Sequence, residues 1–309
     1  MRNLSIDVLK IIMAFFVVFL HMHVLKVSHP ELSYVLVNGL FRIGVPIFLI
    51  ITGYYFYYIN TFQKFKKWSI RILLLYSIWS IIYIPLWKED DHYLLNILFG
   101  YHHLWYLIGI FFSGVLLYLL KDINTQILGI SIVSLFICGY SIQFLANSHY
   151  FVGEVDIVLN IFPTYRNFLF VCFPFLGIGF LIKKLNLDTN VKPSLWLVLI
   201  SICLVIFEAF LNYKVLNLNK KESVDMLLSL MWACPLLFLY CKKITVETDS
   251  RMLANISTAI YLIHPLLMNF IFKSPYSYIR SFENEIFVLA LLSLSCMLVY
   301  LNKKIKYLL

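Results

Sequence analysis

The chain has 309 residues, 61% of them hydrophobic and 13% charged, with a mean hydropathy of +0.85. A soluble domain carries roughly twice that charged fraction, so a soluble globular enzyme is excluded. The net charge of +9 does not signal nucleic acid, because the cations sit in short clusters between apolar blocks: "KFKKWSIR", "KKLNLD", "CKKI" and "NKKIKYLL". That pattern belongs to positive-inside loops and to contact with anionic lipid.

The apolar blocks have the length, about twenty residues, that crosses ~30 Å of hydrocarbon as a helix. In chain order the spans are predicted at about 4–26, 34–58, 68–87, 104–120, 126–146, 166–183, 195–213, 223–241, 254–272 and 284–302. The expected fold is an all-α polytopic membrane bundle of about ten transmembrane helices, one domain over residues 1–309 with no appended soluble domain. No A-x-A-like cleavage site follows the first apolar stretch, which therefore reads as a retained helix. Cys138, Cys172, Cys203, Cys234, Cys241 and Cys296 all fall within or at the ends of spans. None forms a CxxC pair, so they read as small apolar residues, with no metal expected.

Several spans carry residues foreign to lipid. The first holds Asp7, Lys10 and His21. At 100° per residue, Lys10 lies about 20° from His21 and Asp7 about 40° on the other side, so the three share one stripe. A lysine near a helix end that pairs with Asp7 and snorkels is the plain reading of Lys10. His21 lies about 25 Å along the helix. Arg42 leads the second run, "FRIGVPIFLIITGYYFYY", about 12 Å from its start. A guanidinium at that depth needs a partner or water. If the stripes face each other, His21 and Arg42 meet as a base and a donor around something anionic or polarised.

The fourth span opens with "YHHLWYL", where His103 and Trp105 flank the outer mouth, and the sixth opens similarly with Arg166 and Asn167. In the seventh, Glu208 reads as a neutral acid or the partner of a cation. In the ninth, Ser257, Tyr261 and His264 share one face. Pro265 follows and removes one backbone hydrogen bond, which favours a kink. Each such group alone has a plain reading: a satisfied histidine, or aromatic anchors at the interface. Together they describe a polar, partly wet chamber inside the bundle.

With the N-terminus in the cytoplasm, Lys and Arg in inside segments outnumber those in outside loops by about two to one, which places both termini inside. The outside loops contain Lys220, Lys221 and Arg280, and the aromatic-rich stretches "KEDDHYLLNILFGYHHLWYL" and "ANSHYFVGEVDIVLNIFPTYRN". Those stretches suit interface anchoring or a carbohydrate face stacked on rings.

"SIDVLKIIMAFFVVFLH", "FRIGVPIFLIITGYY", "HLWYL", "RNFLFVCFPFLGIGFLIKK" and "ISTAIYLIHP", in that order over nearly the whole chain, resemble the signatures of the acyltransferase-3 family of integral membrane O-acyltransferases. The resemblance implies ten helices, cytoplasmic termini and a multi-pass protein of the inner (plasma) membrane. It implies transfer of an acyl group, usually acetyl, from cytosolic acyl-CoA to a hydroxyl of an extracytoplasmic glycan or lipid-linked sugar. Carried across, His21 is the base or acyl relay and Arg42 orients the donor or stabilises the oxyanion. His264 and the His103–Trp105 segment line the acceptor side, with Arg166, Asn167, Ser257 and Tyr261 as further acceptor contacts.

Lys10 stands where the family usually has Arg. It keeps the charge and loses the planar fork that grips phosphate, so its contact with CoA phosphates is expected to be weaker. Lys67 and Arg71, in the cytoplasmic cluster that also holds Lys64 and Lys66, could draw in the anionic nucleotide end. Expected partners are acetyl-CoA as acyl donor, the glycan acceptor and membrane lipid, with no nucleic acid; a homo-oligomer is compatible with the sequence. Two alternatives remain open on the residues alone: a transporter of a small solute such as an amino acid through the same chamber, and a non-catalytic scaffold for glycan assembly.

Overall fold

The computed structural model of the chain describes residues 2–88, 93–161, 163–216, 218, 223–273 and 283–309. Lys220, Lys221 and Arg280, counted above among the loop cations, and the acidic stretch 89–92 lie outside the described residues.

Among the described residues, eight segments are long and apolar enough to cross a membrane. They are α1 (Leu4–Met22), the composite Pro30–Phe56, α4 (Phe62–Trp87), the segment His102–Leu120, α6 (Thr125–Asn147), α8 (Leu195–Lys214), α10 (Met252–Phe272) and α11 (Glu283–Leu301). The composite consists of α2 (Pro30–Asn38), a 3-10 turn (Leu40–Ile43) and α3 (Gly44–Phe56); the main helix of the segment after it is α5 (Trp105–Leu120). Two shorter helices, α7 (Phe173–Lys184) and α9 (Leu230–Lys243), complete the bundle. The protein is a helical membrane bundle turned inside out relative to a soluble one. Ile81, Leu119, Ile130, Trp196, Trp232, Phe270 and Leu289 all face outward, whereas Asp7, Arg42, His103, Gln143 and His264 are buried. Polar groups in lipid must find partners inside the protein, and here they do so at the two ends of the bundle.

Backbones approach most closely between α3 and α7. A Cβ on Gly53 would lie 1.8 Å from the Leu176 carbonyl oxygen, and one on Gly179 would lie 2.0 Å from that of Ile50. Only glycine fits at these crossing points, the usual way helices pack tightly when lipid supplies no hydrophobic drive.

At the end where α1 begins, Asp7 is nearly inaccessible. It accepts from Arg2 Nε and Nη2, at 3.2 and 3.0 Å, and from the Lys10 ammonium at 3.3 Å. Asn3 caps α1 through the Ile6 amide, and the strand Arg2–Asn3 pairs antiparallel with Glu247–Thr248, tying the N-terminus to the loop between α9 and α10. On the same end, Asp188 accepts the Tyr54 hydroxyl and, at 3.2 Å, the Lys183 ammonium.

Burial acts to raise the Asp188 pKa, but the Tyr54 hydroxyl and Lys183, with Lys242 nearby, overcome it and hold the carboxyl below its ordinary value. A carboxylate depressed in the folded state stabilises the fold above its unfolded pKa, about 3.9, and loses that contribution as the pH falls through the folded value. Thermal unfolding in detergent should therefore drop more steeply below about pH 4 in the native chain than in Asp188→Asn. Identical pH profiles would show that the cluster adds nothing to stability.

The structure differs from the sequence expectation in three spans. The second is not one helix: Gly39 ends α2, and the chain passes through the 3-10 turn before Gly44 restarts it. Pro46 sits in the first turn of α3, where its missing N–H costs nothing. The sixth span opens as a short π-type turn, Phe168–Cys172, capped by Asn167. The eighth begins as helix only at Leu230, with residues 223–227 in no regular secondary structure.

Candidate active site

The opposite end of the bundle, where α1 finishes, holds the other polar concentration. Arg42 lies on the 3-10 turn between α2 and α3, which carries its side chain into the interior. It is ion-paired with Asp225 and donates to Asn38 Oδ1 at 3.1 Å. Arg166 donates to the same Asp225 oxygen at 3.1 Å, and Ser223 Oγ donates to the other at 3.0 Å. Two guanidinium groups thus share one buried carboxylate.

The non-helical segment carrying Asp225 would be forbidden in lipid, since its backbone groups have no helix to satisfy them. Side chains from neighbouring helices do so instead. Gln143 accepts from the amides of Asp225 and Met226, at 2.8 and 2.9 Å, and donates to the Met226 carbonyl at 2.8 Å. Asn38 accepts the Val224 amide at 3.1 Å, and Asn147 donates to the Ser223 carbonyl at 3.3 Å. Glu208 completes the arrangement by accepting the amides of Leu228 and Ser229 and the Ser229 hydroxyl. It caps the start of α9, a stabilising place for a carboxylate, and neither sequence alternative for Glu208 included that role.

Four imidazoles gather beside this charge cluster. The His21 ring lies 4.4 Å from that of His102 and 5.3 Å from that of His264, measured between centroids. His103 lies 5.3 Å from His264 and 5.1 Å from both Tyr83 and Tyr261. A sharp turn delivers the pair from the fourth span: Gly100 has φ +87°, and His102 itself is left-handed at φ +50°. A left-handed non-glycine residue costs energy, and such strain concentrates at functional sites. Among the described residues no group of three or more His, Cys, Asp or Glu is arranged to hold a metal ion.

Pro265 explains the posture of His264. Lacking an N–H, it leaves the Tyr261 carbonyl without its helical donor. His264 Nδ1 lies 2.8 Å from that oxygen and 3.1 Å from the Ile260 carbonyl, so Nδ1 carries the proton and donates there. Nε2 is then the unprotonated nitrogen, buried and without a hydrogen-bond partner. One residue on, the Tyr83 hydroxyl is inserted into the helical ladder, donating to the Leu262 carbonyl at 2.8 Å and accepting the Leu266 amide at 3.2 Å. The Tyr261 hydroxyl donates to the His103 carbonyl at 2.6 Å, joining α10 to the histidine turn.

A cavity of about 610 Å³ opens onto this cluster, lined by His21, His102, Arg42, Trp105 and Arg166 among others. It lies within the range of small-molecule sites. The Arg166 guanidinium stands 5.6 Å from the Trp105 ring centre. His23, just past the end of α1, lines the same cavity, and its pKa is lowered by burial and by the charges of Lys26 and Arg42. The imidazole at this rim therefore faces a positive field.

The structure brings together His21, Arg42, Trp105 and Arg166 at the cavity, with His264, Tyr261 and His103 immediately behind. It does not bring together the rest. Asn167 spends its side chain on structure, capping Leu169 and Phe170 and donating to Pro163 and Thr164. Ser257, two turns before His264 on α10, spends its hydroxyl on the Lys10 carbonyl. Lys10 itself is held by Asp7. Lys67 and Arg71 are exposed on the first turns of α4, where Arg71 reaches the Leu309 carbonyl at 3.5 Å. Three groups at or beside the cavity escaped the sequence reading: His23, His102 and Asp225. His102, not His103, faces the cavity, and the adjacent "HH" left that choice open. Asp225 was assigned to an ordinary helical run, although an acid that close to the apolar stretch "MLLSLMWACPLLFLY" was itself a signal.

The family model described as "Acyltransferase domain" matches residues 3–301, and the chain belongs to this acyltransferase-3 family. A curated protein of Enterococcus faecalis named "Amino-acid racemase" is 25% identical over 296 residues, covering 86% of this chain and 41% of its own length. The chain thus spans about two-fifths of the length of the curated relative it matches. That name gives no support to the carrier alternative. No solved structure matches the chain.

Proposed function

We propose that the protein is a membrane O-acyltransferase that moves an acyl group, acetyl in the simplest case, from cytosolic acyl-CoA to a hydroxyl of an extracytoplasmic glycan or lipid-linked sugar. The observation that carries this reading is that His21 and Arg42, from different spans, line one cavity. In this reading the chain crosses the plasma membrane ten times, α7 and α9 included. Both termini and the Asp7 and Asp188 clusters are then cytoplasmic, and the histidine cavity opens outward.

The chemistry follows from the groups at hand. The acceptor hydroxyl gives its proton to His21 as its oxygen attacks the thioester carbonyl. The carbon–oxygen bond forms, negative charge develops on the carbonyl oxygen, and the guanidinium groups of Arg42 and Arg166 favour it. Collapse breaks the carbon–sulfur bond, and the proton held by His21 goes to the departing thiolate, giving free CoA and the ester. His264, its Nδ1 occupied by the Tyr261 carbonyl, acts through His21 as a positioning residue. Lys67 and Arg71 attract the CoA phosphates, with Lys10 a weaker contributor because Asp7 already holds it.

Proteoliposomes loaded with acetyl-CoA and given glycan acceptors outside test the reading. Acceptor-dependent release of CoA thiol with formation of an O-acetyl ester is expected. Uptake of a solute with no thioester breakdown would replace the acyltransferase by a carrier.

A further inference from the structure

On the far side of Arg42 from the histidines lies a second chamber, of about 390 Å³, which shares His23, Arg42 and Ser223 with the main cavity. Its other walls include Lys26, Ser33, Tyr34 and Asn38. Two buried polar atoms of its lining residues, the Tyr34 hydroxyl and Arg42 Nε, have no hydrogen-bond partner. A native fold rarely leaves such groups unpaired, and two from one chamber mark a place where a ligand supplies the acceptor. The electrostatics agree. No carboxylate lines the chamber among the described residues, Lys26 stands exposed at its rim, and Asp225 is already shared by Arg42 and Arg166. Glu31, next to Pro30 of the lining, is paired with Lys214 at 2.9 Å, and Glu222, next to Ser223, lies outside the described residues.

We propose that this side chamber binds an anionic group of the acceptor, a carboxylate or a phosphate, accepting hydrogen bonds from the Tyr34 hydroxyl and Arg42 Nε with Lys26 as the entrance cation. The word acceptor rests on the acyl-transfer reading; the anion site itself does not. A molecule anchored there reaches past Arg42 and places its neighbouring hydroxyls in the larger cavity, beside His21. Arg42 would then serve two chambers, neutral to neither, and the acceptor class narrows from any sugar to one bearing a negative charge.

Calorimetry on the full chain in zwitterionic-lipid nanodiscs tests this with three probes: methyl glucoside, glucuronate and glucose 1-phosphate. One of the two anions should bind at least about tenfold tighter than the neutral sugar, since hydrogen bonds to a charged group are the strong ones. Which anion wins distinguishes a uronic acid from a phosphate-linked acceptor. Tyr34→Phe and Lys26→Gln, one conservative and the other at an exposed site, should each weaken that anion severalfold and leave the neutral sugar unchanged. Equal binding of all three probes, binding of none, or an anion preference that survives both substitutions would overturn the proposal. Acyl transfer is assayed separately on the same preparations: an anion preference without transfer would end the catalytic reading and leave the chamber's assignment standing.

Discussion

Replacing His21 by alanine is expected to lower acyl transfer by about 10²- to 10⁴-fold, the usual worth of a positioned general base, with folded yield unchanged. The His21 ring is half-buried, stands between the His102 and His264 rings, and faces the main cavity. Its removal enlarges a space that is already open, so the packing loss is small. His264→Ala is the instructive contrast. That residue is fully buried and satisfies the Tyr261 carbonyl left bare by Pro265, so its loss should lower stability and activity together. Turnover by proteoliposomes, normalised to the folded fraction from size-exclusion chromatography, separates the two effects. Wild-type turnover in a well-folded His21→Ala protein would remove the imidazole from the chemistry altogether.

Helices were legible in the sequence because lipid imposes one rule on every span, a run of apolar residues of fixed length, and eight segments follow it openly. The shorter α7 and α9 were legible as hydrophobic runs, but their starts were not. Asn167 caps the turn that leads into α7, and Glu208 the start of α9, from places that hydropathy does not encode. The interruption at Gly39–Ile43 was hidden for the same reason: Leu40, Phe41 and Ile43 are as apolar as any helix, and only the Gly39, Gly44 and Pro46 spacing hinted at a break. His21 and Arg42 could be paired by depth, since rise per residue is a constant. Asp225 could not, because it reaches Arg42 across 183 residues of chain on a segment whose backbone is satisfied by Gln143 and Asn38. Contacts of that kind are made by tertiary structure alone.

Asp225 is therefore where the largest loss of stability is expected. Asp225→Ala would remove the carboxylate that two guanidinium groups share, Arg42 with 7% and Arg166 with 19% of side-chain area exposed, and leave them facing each other across the gap. Removing one partner of a buried ion pair costs about 3–5 kcal/mol, because the remaining charge stays desolvated. Much of a bundle's margin would go with it, since whole domains are stable by only about 5–15 kcal/mol. The non-helical segment would loosen as well, because Ser223 Oγ loses its acceptor. Pairing Asp225→Leu with Arg42→Met should recover part of the thermal stability, as apolar replacement of a buried pair often does. Transfer activity should stay absent in the double variant, because the field that favours the oxyanion has gone with the guanidinium. Thermal unfolding followed by the reactivity of the buried Cys172 and Cys234 thiols reads out the first effect, and the proteoliposome assay the second. If Asp225→Ala unfolds at the wild-type temperature, the two arginines are solvated by some other means. The shared carboxylate would then not be what organises this end of the protein.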